Sequence, residues 1–364
     1  MTVSAAGATS FHRTGGTPCT FYGLFAKEGS PTITVRLRAS DGKTLQGARE
    51  IVLQDWLIVG IGDSNGSGEG APDVPKPSTG VAARWQSVHC DRSANSYQAQ
   101  TARTVERRDP RTSVTFVHLA CSGASIARGL LGPYGGINPG ILHRPQVNAM
   151  TTLAQGREID AVIVSIGVND LGFADLVKHC IAYPNCPARA FPSLTSTTTL
   201  DEVMQQRLAA LTATGGLYDQ LSRALKDAGI PARRVVITEY FDSTRDENGR
   251  TCDPLISTGL TAFDRAEAVW AAERVLIPLN GAVRAAAQKH GWRLVTGSQE
   301  GFRRHGYCSK DPWIVGLTES LASQGDANGT LHSTTRGNTF QAARVYSRLR
   351  LELYANGRTR RPAP

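Results

Sequence analysis

This 364-residue sequence is defined first by what it lacks. It has no uninterrupted run of about 18 apolar residues, which excludes a membrane-spanning helix. The opening MTVSAAGATSFHRTGG has no apolar core of the signal-peptide kind. None of the seven cysteines falls in a CxxC pair, so no zinc or other metal is expected. There is no internal repeat. The net charge of +9 comes from scattered arginines, with one small cluster in the tail NGRTRRPAP. No basic helix and no platform of basic and aromatic residues is present, so no nucleic-acid partner is expected. The charge suits at most peripheral contact with anionic surfaces.

What is present is enough apolar sequence, 40%, to fill the core of one large domain with a smaller accessory piece. Seven cysteines are many for a cytosolic enzyme. The expected bridges are Cys180 to Cys186, Cys90 to Cys121 and Cys252 to Cys308, leaving Cys19 odd, with buried free thiols as the alternative. Bridged cysteines imply a secreted or periplasmic protein, and a monomer is expected.

Residues 1–55 differ in texture from the rest. PTITVRLRASDGKTLQGAREIVLQDW alternates apolar and polar residues on both sides of SDGKT, a hairpin signal with Asp41-Gly42 at the turn. This predicts a small β-rich N-terminal module, a partial immunoglobulin-like sandwich in outline. Residues 56–364 form the second unit. There the short apolar runs LIVGIG, SVTFVHLA, DAVIVSIG, RVVITEY and WRLVTG are separated by helical stretches. Such runs are strands covered on both faces, which predicts a five-stranded parallel sheet in a three-layer α/β/α domain. Leu200, Met204, Leu208, Leu211, Tyr218, Leu221 and Leu225 recur at helical spacing behind a Thr199/Glu202 capping box. Pro278 should break or kink the stretch 263–290, and a last helix is expected over 339–354. The long loop after the third strand is a candidate wall or lid, since ligands bind where the strands of such sheets end.

The stretch LIVGIGDSNGSGEG runs a strand into a glycine-rich turn at Ser64. A dinucleotide fingerprint fails, because Asn65 stands where the third glycine belongs, and a phosphate loop fails for want of Gly-Lys-Ser/Thr. A nucleophile turn and a plain structural turn remain. The second strand ends in HLACSGAS and the third in VSIGVNDLGF, which brings Gly123 and Asn169 to the same edge as Ser64. Two main-chain N–H groups and an amide make a sufficient oxyanion hole. Of eight histidines, His332 in GDANGTLHSTTRGNTF lies between the last strand and the last helix, where a base is needed. His118 and His290 suit packing or surface roles.

Together these blocks resemble the SGNH, or GDSL, hydrolase superfamily, in the family's order, across residues 57–354. The longer serine block is similar to that of secreted bacterial esterases and lipases in the family. The resemblance implies a flavodoxin-like SGNH fold and a serine esterase: nucleophile Ser64, base His332, and an oxyanion hole of the Ser64 and Gly123 N–H groups with the Asn169 amide. No cofactor is implied. Two departures stand out. The family's aspartate, three residues before the histidine, is replaced by Gly329, so either Asp326 completes a triad or a main-chain carbonyl near Gly329 orients the ring of a Ser-His dyad. The segment HSTTRGN also lacks the usual proline and asparagine. Tyr240, Phe241, Trp313 and Tyr134 are candidates for an acyl pocket. The substrate is expected to be a small-molecule, lipid or polymer ester. An acyltransferase on the same site and a non-catalytic carbohydrate- or surface-binding protein are the other readings.

Overall fold

The computed structural model describes residues 2–13, 21–77, 80–137, 140–193, 195–252 and 264–354, so Cys19 and the basic tail lie outside the described residues. The chain opens with β1 (Thr2–Ala5), β2 (Ala8–Arg13), β3 (Phe21–Phe25), β4 (Thr32–Arg38) and β5 (Thr44–Glu50). They make a three-stranded antiparallel sheet, β1-β4-β5, and an antiparallel pair, β2-β3. The turn between β4 and β5 is the one expected: Gly42 takes φ +83°, and Lys43 N–H donates to Asp41 Oδ1 at 3.0 Å. A left-handed residue is what such a turn demands and what glycine supplies without a Cβ clash.

The larger sheet is built from β6 (Gln54–Gly62), β7 (Thr112–His118), β8 (Ala161–Ser165), β9 (Val235–Thr238) and β10 (Arg293–Val295), all parallel, in the order β7-β6-β8-β9-β10. Side chains alternate across it. Leu57, Val59 and Ile61 of β6 enter one core with Val162 and Val164 of β8, while Trp56 and Ile58 enter another with Ile163. Each such buried side chain contributes about 1.5–3 kcal/mol, which is why these strands read as continuous apolar runs.

The helices are α1 (Ser64–Ser67), α2 (Tyr97–Arg108), α3 (Gln146–Ala154), α4 (Phe173–Ala182), α5 (Leu200–Thr212), α6 (Leu217–Asp227), α7 (Arg265–Trp270), α8 (Ile277–His290), α9 (Ser298–Phe302), α10 (Leu317–Ser323) and α11 (Thr335–Tyr354). Tyr97 and Val105 of α2 pack with Val345 and Leu349 of α11 on one face of the sheet, while α3, α5, α6 and α8 cover the other. Among the described residues no helix is long and apolar enough to cross a membrane.

Two expectations change. The leucine pattern from 200 to 225 is two helices, because Gly215 turns to φ +73° and ends the first, although the Thr199/Glu202 capping box forms as expected. Pro278 does not break its segment: a π-helical turn over Ala271–Leu276 precedes it and the backbone stays helical into α8. The wider turn accommodates the missing N–H and the proline ring.

Three disulfides join the expected pairs, Cys90–Cys121, Cys180–Cys186 and Cys252–Cys308. The first ties the segment before α2 to the turn after β7, and Ser122 N–H adds a bond to Cys90 O at 3.1 Å. Its loop of 31 residues implies about 4 kcal/mol of stabilisation by chain-entropy reasoning. A Cys90→Ala/Cys121→Ala variant should therefore lose about 4 kcal/mol in denaturant unfolding relative to wild type. A loss below about 1 kcal/mol would show that the turn is held by its other contacts.

Candidate active site

In a parallel sheet of this order the strand ends next to the reversal of direction form a crevice. Here those ends belong to β6, β7 and β8. Ser64 is the first residue of α1, one residue past the end of β6, and the intervening Asp63 caps that helix by accepting Asn65 N–H at 3.1 Å. Strand β6 thus turns at once into a helix start, which holds Ser64 at the sheet edge, 7% exposed.

Asp63 is fully buried, and burial pushes its carboxyl up to about 6 against hydrogen bonds from Tyr240, Ser165 and the Asn65 and Gly66 N–H groups. The Tyr240 hydroxyl donates to Asp63 Oδ2 at 2.5 Å and accepts from Val168 N–H at 3.3 Å. One phenol therefore joins the Ser64 turn to the turn that carries Asn169. A second carboxyl, Asp170, joins that turn to the β7 turn by accepting Ile126 N–H at 3.0 Å, and burial raises its pKa to about 7.

Gly123 sits on the β7 turn at φ +78°, and a Cβ there would run into the Tyr134 hydroxyl. Asn169 donates one amide hydrogen to Ala124 O at 3.0 Å, leaving the other for a ligand. His332 lies in the loop between α10 and α11. Burial lowers its imidazole pKa below the usual 6.5, opposed by the charge of Asp63 and by the loop carbonyls of Thr330, Asn328 and Gly329. Burial thus favours the neutral form of the ring.

Ser64, Gly123, Asn169 and His332 line one pocket, which also receives Glu69 and Ser122. Asp326 does not join them as the histidine's partner. His332 Nδ1 faces Thr330 O at 3.1 Å, whereas Asp326 Oδ1 accepts from Gln324 Nε2 at 3.0 Å and Asn328 N–H at 2.8 Å. Packing accounts for Gly329. A side chain there would meet Gln324 Oε1 at 2.6 Å and Ser320 Oγ at 2.8 Å, with Gly70 Cα at 3.2 Å. The histidine loop packs closely on the nucleophile block, so an aspartate at 329 would have to displace the Gln324 and Ser320 side-chain ends and press on Gly70.

A second pocket also opens at Ser64 and His332. Its walls are Val168, Phe173, Leu176, Tyr240, Phe241, Val275, Leu276 and Leu279, so it is strongly apolar. Phe173 of α4 stands between the two pockets and lines both, which makes the loop after β8 a wall of the site. Trp313 is elsewhere, stacked on His305 with ring centroids 3.9 Å apart, and Tyr134 lies behind Gly123. The sequence reading missed Glu69, Ser122 and the joining role of Tyr240. Only the acid within the serine block was a signal for the first.

Removing the Tyr240 hydroxyl by Tyr240→Phe leaves Val168 N–H without its partner and Asp63 with one donor fewer, at a cost of about 1–3 kcal/mol. The sign with pH is fixed. The folded pKa of Asp63 already lies above its unfolded value of 3.8 and the variant raises it further, so the Asp63 part of the cost is absent below pH 4 and complete only above the variant's folded pKa, while the Val168 part is the same at every pH. Thermal melting should show a larger loss at pH 8 than at pH 4; an equal loss at both would remove Asp63 from the explanation.

The GDSL-like Lipase/Acylhydrolase family model matches residues 61–340. A lipase of Streptomyces rimosus is 27% identical over 273 residues, which covers 73% of this chain and 78% of that protein. The crystal structure of an extracellular lipase from Streptomyces rimosus is similar with a TM-score of 0.52 and 25% identity, covering 80% of this chain and 98% of that one. With the parallel sheet and the serine at its edge, these matches give the conclusion: the chain belongs to the GDSL-like lipase/acylhydrolase family and is a carboxylic ester hydrolase.

Proposed function

We propose that the protein is a serine esterase/lipase that works through an acyl-enzyme with a Ser64–His332 dyad. The observation that carries this reading is the meeting of Ser64, Gly123, Asn169 and His332 in one pocket at the ends of β6, β7 and β8. His332, its Nδ1–H held by Thr330 O, takes the Ser64 proton at Nε2 as the hydroxyl attacks the ester carbonyl. The oxyanion is received by the Ser64 and Gly123 N–H groups and the free amide hydrogen of Asn169. The proton then leaves with the alcohol, and water repeats the sequence to release the acid.

The apolar pocket supports an aliphatic acyl group as the part of the substrate it receives, with the more polar pocket beside Gly123 left for the alcohol. Lipid esters suit this division. Three disulfides and likeness to an extracellular lipase support export to an oxidising compartment. Residues 1–55 are read as an accessory module on a catalytic domain of residues 56–364.

Ser64→Ala should abolish both turnover of p-nitrophenyl esters and labelling by a fluorophosphonate. Asn169→Ala should lower kcat by about 10²–10³ with little change in KM. Across acyl chains from acetate to palmitate, kcat/KM should rise beyond butyrate. Persistent labelling of Ser64→Ala would move the nucleophile to another residue, and a maximum at acetate would remove the apolar pocket from acyl binding.

A further inference from the structure

The Ser64–His332 mechanism leaves two ionisable groups of the pocket without a role, Lys178, which is exposed, and Glu69, which is buried. Glu69 lies on the turn after α1, its N–H donating to Ser64 O at 3.3 Å, and it is 3% exposed. Its Oε2 stands 3.4 Å from His332 Nε2, the nitrogen that takes the serine proton, and accepts a hydrogen bond from the Ser122 hydroxyl. His332 is its only ion-pair partner among the described residues. The groups facing it from other elements are Asp91 and Tyr134 from the loops beside Cys90 and Gly123, and Gln324 and Asp326 from the histidine loop. Apart from the imidazole, none of them brings a positive charge.

We propose that Glu69 is the carboxylate that supports the catalytic imidazole, acting from the Nε2 side of His332 in place of the aspartate that is absent from position 329. The inference rests on the Ser64–His332 reading and makes Glu69 a positioning residue for it. When Ser64 attacks, its proton passes to Nε2 and the new imidazolium lies beside the Glu69 carboxylate. The proton then passes to the departing alkoxide, and Glu69 keeps its charge throughout. A protonated Glu69 has the opposite effect: its O–H is directed at the Nε2 lone pair and competes with the Ser64 hydroxyl for it. Ionisation of Glu69 therefore switches the base on.

Burial pushes the Glu69 carboxyl far above the usual carboxylate range, with the charge of Asp326 adding to the shift. Burial and the charges of Glu69 and Asp326 raise Asp91 as well, so the two acids hold protons where exposed carboxyls have lost them. His332 moves the other way, below 6.5. The wild-type rate should accordingly climb in two steps with pH, the imidazole first and the carboxyl above it.

The test is the pH profile of kcat/KM for a soluble p-nitrophenyl ester, with Ser64→Ala subtracted as background. Glu69→Gln should lose the upper step and fall about 100-fold at the alkaline plateau, while Glu69→Asp recovers the step. Melting curves and fluorophosphonate stoichiometry check that both variants fold. If Glu69→Gln does not fold, the ¹⁵N shift of His332 Nε2 in wild type decides: two transitions with pH are expected, and a single one overturns the proposal. A Glu69→Gln profile of unchanged shape overturns it too, whether or not the rate falls, because a packing role would not move the upper step. Ser64→Ala that still turns over ester overturns the esterase reading and this inference with it. An inactive Ser64→Ala beside an unchanged Glu69→Gln profile overturns this inference alone.

Discussion

The site depends on a buried carboxylate at the end of a strand. Asp63 caps the helix that Ser64 begins, and its second oxygen is held by the Tyr240 hydroxyl. Taking a carboxyl wholly out of water is costly unless hydrogen bonds replace the hydration it loses. Here the replacements come from Asn65, Gly66, Ser165 and Tyr240, which belong to three different parts of the sheet edge. Satisfying Asp63 therefore fixes where β6, β8 and β9 end relative to one another. Because Tyr240 also takes Val168 N–H, the same interaction sets the height of the Asn169 turn against Ser64.

The remaining members of the site are fixed by close approach. The β7 turn is fastened by Cys90–Cys121 on one side and by Asp170 on the other. The histidine loop packs on the nucleophile block at Gly70 and Gly329, where a Cβ added to either would lie 3.2–3.3 Å from the other's backbone. Such contact leaves little freedom for the loop to carry a side chain inward. In this loop a main-chain carbonyl, that of Thr330, faces the ring. A carbonyl fixes the tautomer as an aspartate would, but it brings only a dipole to the imidazolium.

Much of this was legible in the sequence wherever the signal was local. The apolar runs of β6 and β8 required burial on both faces, the Asp41-Gly42 turn required a left-handed residue, and the Thr199/Glu202 capping box was written in adjacent letters. Ser64, Gly123, Asn169 and His332 could be grouped as candidates because each follows a strand or precedes a helix in a fixed place in the topology, and they do line one pocket. Legibility ended where two segments compete for one space. Nothing local distinguishes Asp326 from Thr330 as the ring's partner, since the choice depends on Gln324 and Asn328 engaging the aspartate first. The break at Gly215 was visible as a pair of glycines, but the leucine spacing continued across it in phase. Pro278 carried a true local signal, and a π-helical turn absorbed it.

The two acids of the serine block show how environment assigns different tasks to the same chemistry. Asp63 and Glu69 are both buried, and in both burial raises the pKa. Asp63 receives donors from the main chain and from neutral side chains, so it can stay ionised near neutrality and act as an anchor. Glu69 is surrounded by other acids and has one ionisable base at hand, so its charge is only favourable while that base is a cation. On the proposed Ser64–His332 mechanism, a carboxylate in such a position contributes little to the resting enzyme and most when His332 carries the serine proton. That is the selective stabilisation catalysis requires, because an interaction equally strong before and during the reaction leaves the barrier where it was. A buried acid facing a base is thus a poor structural element and a suitable one for the transition state.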